Sequence, residues 1–394
     1  MSGFKTIKKQ PTQPQSQPQY EVADVLNKLG SKLEDLGLNS WQLRTLFALK
    51  KCRTSALGGH IDACDECGNI SISYNSCRNR HCPKCQGRNR EDWIQTRETE
   101  LLPVPYFHVV FTLPEVLNNT ALHEPKMLYD TLFETAWETL QTFGKNKNLQ
   151  MGMIGVLHTW GQNLSLHPHL HCIVPGGGVD ENGAWKNIKN DGKFLFPVKA
   201  LSKVFRAKFC EKLKANLKDK FNENQENEYE KIRQSLWEKP WVVYAKKPFG
   251  SPKSVVEYLG RYTHKIAISN GRIRGIDDKT VTFDYKDYRQ KGIKKQMVLS
   301  HEEFIRRFAM HILPKRFVKI RHYGFLSSTW KRVKLKNLQQ NLGIQPKEKP
   351  LPKPFQPKCS CCKTGNLVTI AMFDLRGPPQ WFLEMSQSKP VPKK

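Results

Sequence analysis

The 394-residue sequence has no run of about 18 apolar residues, which excludes a membrane-spanning helix. Acidic residues are scarce: 36 Asp and Glu stand against 64 Lys and Arg, for a formal net charge of +28. Such a surface attracts polyanions and fits nucleic acid; the alternative is a basic surface that serves solubility alone. Met1 to Tyr20, rich in Gln, Pro and Lys, lacks the apolar core of a secretory signal and reads as a disordered arm. No internal repeat is present. The eleven cysteines are too unevenly placed for a secreted disulfide scaffold: six fall between Cys52 and Cys85 and three between Cys359 and Cys362. The cell interior is therefore the expected compartment, where clustered cysteines usually bind metal.

Apolar spacing predicts helices over Val22–Leu36 and Ser40–Lys50, with Asn39 as a cap. Tyr106–Leu113 reads as a buried strand ending at Pro114, and Pro125–Phe143 as a helix. Met153–Gln162 and His169–Val174 read as the strands of a hairpin. Further helices are expected over Ala200–Lys220, Glu226–Trp237 and His301–His311, and strands near Ile266–Ile276, Thr280–Tyr285 and Lys294–Leu299. The implied organisation is an arm (1–20), a helical and cysteine-rich domain (21–102), a central domain (103–275), a strand and helix extension (276–344) and an irregular Pro/Lys-rich tail (345–394).

Cys64-x2-Cys67 and Cys82-x2-Cys85 are separated by fourteen residues. Each knuckle offers two thiolates from a tight turn, and paired knuckles at this separation suit tetrahedral structural zinc. Cys52, His60, Cys77 and His81 are available for a second zinc site. Arg78, Arg80, Arg88 and Arg90 flank the second knuckle and read either as phosphate or base contacts or as a solvated face. Cys359, Cys361 and Cys362 read as free thiols in the tail.

His169 and His171 sit two apart on a strand, so both imidazoles lie on one face and can bind one metal ion. Candidates for a third ligand are His158, Gln162 and His108, the last also readable as a packed core residue. A two-residue turn at Leu164-Ser165 would set His158 opposite His171. Tyr258 and Tyr262 sit four apart in a segment that reads as a helix and share one side of it. They read either as core aromatics or as nucleophiles on a face with Arg261 and Lys265 that meets DNA. A metal that polarises a phosphate and a phenolate that attacks phosphorus together make a tyrosine-based DNA-cutting centre.

Several segments resemble the rolling-circle insertion-sequence transposases of the two-tyrosine HUH class, the IS91-like group. They are the cysteine-rich run from Cys52 to Cys85, the strand Pro105–Pro114, the stretch Gly155–Gln162 leading into His167-Pro168-His169-Leu170-His171, and Glu257-Tyr258-Leu259-Gly260-Arg261-Tyr262-Thr263-His264. The resemblance covers most of the chain. It implies an α+β fold: an HUH-type nuclease domain, with an antiparallel sheet flanked by helices, preceded by a small helical, zinc-ribbon-like domain. It also implies structural Zn2+, catalytic Mg2+ or Mn2+, and cleavage of single-stranded DNA at element ends in a bacterial, nucleoid-associated setting. No GxxxxGK[ST] motif is present, so a helicase would come from the host. A replication initiator or relaxase would share the chemistry, whereas a non-catalytic zinc-ribbon regulator would leave both tyrosines far from His169 and His171.

Overall fold

The computed structural model describes residues 18–85, 94, 97, 99–188, 195–218, 223–245, 254–255, 258, 260, 265–332, 334–343 and 357–387. In chain order its strands are β1 (Gly59–Cys64), β2 (Ile70–Tyr74), β3 (Tyr106–Thr112), β4 (Gly152–Trp160), β5 (Leu166–Pro175), β6 (Gly177–Val179) and β7 (Trp185–Asn187). Then follow β8 (Val243–Ala245), β9 (Ile273–Ile276), β10 (Thr280–Asp287), β11 (Ile293–Ser300), β12 (Ile320–Gly324) and β13 (Leu367–Phe373). The fold is α+β, and the paired strands among the described residues are antiparallel.

The central sheet has the order β12-β4-β5-β3-β8. Alternation along its strands separates two faces. Val109, Phe111, Leu157, Leu170 and Cys172 point to one face and pack under the helices Pro125–Lys145 and Val198–Lys218. Tyr106, Ile154, Val156 and Ile173 point to the other and are covered by Val255, Phe325, Leu335 and Leu338. Val255 lies in the tyrosine segment, so its burial, worth roughly 1.5–3 kcal/mol, holds that segment against the second face. The same face carries the histidines of the site.

The N-terminal helices do not fold apart from the later chain. Val25, Leu26, Leu46 and Leu49 share one core with Phe283, Phe304, Ile305 and Phe308. The indole of Trp41 donates to Leu313 O at 3.0 Å, and Gln42 Nε2 donates to Ala309 O at 3.0 Å. The helix His301–Ala309 begins where expected, with the Ser300 hydroxyl accepting from Glu303 N. In place of the strand expected from Ile266, a bend and a short 3-10 turn at Asn270–Arg272 lead into β9.

Strands β1, β2, β6, β7, β12 and β13 have no counterpart in the sequence reading, and β12 and β13 matter most to the layout. β12 is an edge of the central sheet, paired to β4. β13 belongs to the expected tail, yet it pairs with β1 along its length and forms the sheet β13-β1-β2. Residues 357–387 are therefore not an irregular tail. Residues 1–17 of the arm lie outside the described residues.

Candidate active site and zinc centres

In the β4–β5 hairpin His158 stands opposite His169, and Val156 stands opposite His171. The expected register is off by two residues. A bulge between His158 and Trp160 and a longer turn through Gly161–Ser165, with Leu164 in the left-handed region, take up the difference. A shift of two preserves the face, so His158 still joins the pair. The turn is held by cations and an imidazole. Arg272 donates to Gln162 O, Arg307 to Asn163 O at 3.3 Å, and His311 Nε2 to Leu164 O at 3.2 Å. Gln162 thus lies in the turn, beyond the end of β4, with its main-chain carbonyl engaged.

Ligand nitrogens of His158, His169 and His171 lie within 4.8 Å of one another. His169 donates Nδ1–H to His167 O at 2.7 Å, which leaves Nε2 as its lone-pair donor. His171 Nδ1 faces His108 Nε2 at 2.9 Å, which likewise leaves Nε2. Burial holds His169 neutral down to about 4 and pushes His171 well below its ordinary value. Three imidazole nitrogens gathered in this way fit a divalent transition ion. Nitrogen donors suit Mn2+ better than Mg2+, which prefers oxygen. Trp160 stacks on His158 with centroids 4.5 Å apart, and Lys319 Nζ lies 5.2 Å from the Trp160 ring. Burial lowers the Lys319 ammonium to about 7, and Lys319 donates to Lys265 O at 2.8 Å.

Ser254, Val255, Tyr258 and Gly260 are helical. Tyr258 Oη lies 3.4 Å from His108 Nδ1. His108, 3 % exposed, therefore stands between the tyrosine and His171. The His108 and His171 rings are within 12° of coplanar with centroids 5.1 Å apart. Together with the 2.9 Å nitrogen contact, this is an edge-to-edge hydrogen bond and not a face-to-face stack. Among the third-ligand candidates, His158 gathers with His169 and His171, while His108 lies behind His171. A histidine on a buried strand facing the same way as the metal pair was the available signal for it. Tyr262, Arg261, Arg88 and Arg90 lie outside the described residues.

The cysteines pair differently from the expected Cys64, Cys67, Cys82 and Cys85 quartet. One group gathers Cys52, Cys77, Cys82 and Cys85; the other gathers Cys64, Cys67, Cys359 and Cys362. The reason is strand length. Cys64 ends β1, while Cys52 and Cys77 lie near the other end of the β1–β2 hairpin, where Gly59 pairs with Tyr74. Five residue steps at about 3.3 Å separate the ends by roughly 17 Å, so no single ion reaches both knuckles. In the first group Cys85 Sγ lies 3.6 Å from Cys52 Sγ and 3.7 Å from Cys77 Sγ. A tetrahedron with Zn–S of about 2.3 Å has edges of about 3.8 Å, so this group fits structural zinc. All four cysteines pack against the apolar core of the N-terminal helices.

His60 and His81 stand in neither group. His60 Nε2 lies 3.4 Å from Asp62 Oδ2. His81 is partly buried beside Lys319 and His311, and desolvation lowers it to about 3. Arg80 is a tether and not a free DNA contact, since its guanidinium donates to Phe317 O and to Pro314 O, the latter at 3.0 Å. Arg78 and Lys265 are exposed.

Residues 152–334 match a family described as "Putative transposase", and residues 24–113 match a "Transposase zinc-binding domain". A "Putative transposase y4qJ" of Sinorhizobium fredii (strain NBRC 101917 / NGR234) is 41% identical over 388 residues, covering 91% of this chain and 97% of that protein. The "Transposase for insertion sequence element IS801" of Pseudomonas savastanoi pv. phaseolicola is 30% identical over 306 residues, covering 75% of this chain and 73% of that protein. No solved structure matches the chain. Among the described residues no helix is long and apolar enough to cross a membrane. With zinc-fitting cysteines ahead of an antiparallel sheet, and with relatives aligned along most of its length, the chain belongs to the IS91-like family of insertion-sequence transposases.

Proposed function

We propose that this transposase cuts and rejoins single-stranded DNA at the ends of an insertion sequence, with Tyr258 and Tyr262 as nucleophiles. His158, His169 and His171 would hold a divalent ion. One observation carries the reading: three imidazole nitrogens converge on a sheet face, and the Tyr258 phenol is one imidazole away from them. When bound, the ion supplies Lewis-acid polarisation of the scissile phosphate.

The protein's own part concerns the phenol. A neutral His171 that ligates through Nε2 carries its hydrogen on Nδ1. It then donates to His108 Nε2, which places the His108 hydrogen on Nδ1, facing Tyr258 Oη. His108 thus presents a donor to the phenol oxygen and favours the phenolate. The 3.4 Å separation is long for such a bond, as is common before substrate binds. The Tyr258 oxygen attacks phosphorus, its proton passes to solvent, and the 3′-oxygen leaves and is protonated. A 5′-phosphotyrosine and a free 3′-hydroxyl result. Attack by a 3′-hydroxyl on that linkage reverses the step, so rejoining needs no nucleotide. Arg78 and Lys265, with Arg88, Arg90 and Arg261, supply contacts to the DNA backbone in this reading.

A non-catalytic regulator would leave both tyrosines far from His169 and His171; the closeness of Tyr258 to His108, which meets His171, supports the catalytic reading instead. The test is incubation with a single-stranded oligonucleotide carrying the element end and Mn2+ or Mg2+. A covalent protein–DNA adduct is expected, with the DNA on a peptide holding Tyr258 or Tyr262. Linkage to Tyr285 or Tyr288 instead would remove the reading.

A further inference from the structure

We propose that the chain carries a second structural zinc, bound by Cys64 and Cys67 from one end and Cys359 and Cys362 from the other, which clasps the C-terminal segment onto the N-terminal sheet. Cys359 and Cys362 lie beyond both family-matched stretches, 24–113 and 152–334. The inference stands on its own and does not depend on the tyrosine chemistry.

The geometry is that of two facing knuckles. Cys64-x2-Cys67 is followed by Gly68 at φ +65°, and Cys359-x2-Cys362 by Lys363 at φ +64°. Each turn thus closes in the left-handed region. Across the pair, Cys64 Sγ lies 3.6 Å from Cys362 Sγ, and Cys67 Sγ lies 3.8 Å from Cys359 Sγ. These match the edges of a zinc tetrahedron, about 3.8 Å. Backbone N–H groups already point at the sulfurs: Cys67 N to Cys64 Sγ at 3.5 Å, Cys361 N to Cys359 Sγ at 3.4 Å and Gly365 N to Cys362 Sγ at 3.3 Å. Such donors stabilise thiolate over thiol. At position 365 a Cβ would collide with Cys64 Sγ and come within 2.9 Å of Asp65 Oδ1, so the approach requires glycine.

The two turns are also tied outside the sulfurs. Asp65 Oδ1 accepts from Asn366 N at 2.7 Å, and the Thr369 hydroxyl donates to Asp62 Oδ1 at 2.7 Å. β13 then runs along β1 from Cys64 paired with Leu367 to Gly59 paired with Phe373. β13 leaves Val368, Ile370 and Met372 exposed, so little apolar burial holds it in place. A metal centre is what fixes such a strand. Binding releases the thiol protons to solvent and leaves four thiolates on one ion.

The test uses the purified full-length protein. Elemental analysis is expected to show one zinc equivalent fewer in C359S and in C362S than in wild type. C361S, which alters the exposed neighbour outside the group, should lose none. C77S should lose a different equivalent. Trypsin should release the C-terminal segment faster from C359S than from C77S. A wild-type measurement guards against misfolded variants: maleimide labelling with peptide mapping should modify Cys361 first. Cys64, Cys67, Cys359 and Cys362 should then react together only after chelation. Cys359 and Cys362 reacting as fast as Cys361 before zinc is lost, or an unchanged zinc count in both serine variants, would overturn the proposal.

Discussion

Replacing His108 tests the proposed donor chain more directly than replacing a ligand does. His108 is 3 % exposed on β3, its Nε2 lies 2.9 Å from His171 Nδ1 and its Nδ1 lies 3.4 Å from Tyr258 Oη. H108L puts an apolar side chain of similar size on the strand but, in the proposed tautomer chain, leaves the Nδ1–H of His171 without its acceptor. An orphaned buried donor costs about 1–3 kcal/mol, and loss of a partner behind a metal ligand typically lowers metal affinity about 10–100-fold. H108L is therefore expected to bind Mn2+ that much more weakly and, at saturating Mn2+, still to form the DNA adduct slowly, because the phenol has lost its donor. H108Q has an oxygen to accept from His171 and an amide N–H to donate to Tyr258, so it should recover part of both. Free Mn2+ is counted by electron paramagnetic resonance, the adduct is timed on denaturing gels, and circular dichroism checks the fold. A folded H108L with metal affinity and adduct rate within about twofold of wild type would refute the reasoning behind these magnitudes.

Other outcomes follow from the same geometry. H169A and H171A should each abolish cleavage while leaving DNA affinity nearly unchanged, because the +28 surface supplies that affinity; adduct formation that persists in both variants, or in excess EDTA, contradicts the metal assignment. Y258F keeps the ring, so the protein should stay folded and bind DNA. Its adduct should shift wholly to Tyr262, and the double variant with Y262F should form none; peptide mapping reads both. R80A should melt at a lower temperature, through loss of partly buried bonds to Pro314 O and Phe317 O worth about 1–3 kcal/mol. Unchanged melting with weakened DNA binding would instead restore Arg80 to the DNA surface.

What the sequence makes legible here is the face a residue points to, more than the partner it meets. Alternation places His169 and His171 together because strand period is two, and even a wrong register for His158 lands on the right side, since the error is two residues. The register itself depends on a bulge at His158–Trp160 and on a turn held by Arg272, Arg307 and His311, which lie over a hundred residues away. Local pattern carries no trace of those. β12 escapes for a related reason. Ile320-Arg321-His322-Tyr323-Gly324 is short and polar, and it becomes a strand only by lying on β4. The cysteines show the limit most sharply. Spacing identifies Cys64-x2-Cys67 and Cys82-x2-Cys85 as knuckles, and both are knuckles in the fold. Spacing also suggests that they share an ion, because fourteen residues of unstructured loop would let them meet. The intervening residues instead form β2, which pairs with β1 in a hairpin whose length sends each knuckle to a different partner. One partner lies nearly three hundred residues downstream, in a stretch whose Pro and Lys content reads as tail. Whether two ligand pairs share a metal is thus decided by the stiffness of what connects them, and composition does not report stiffness until the strand pairing is known.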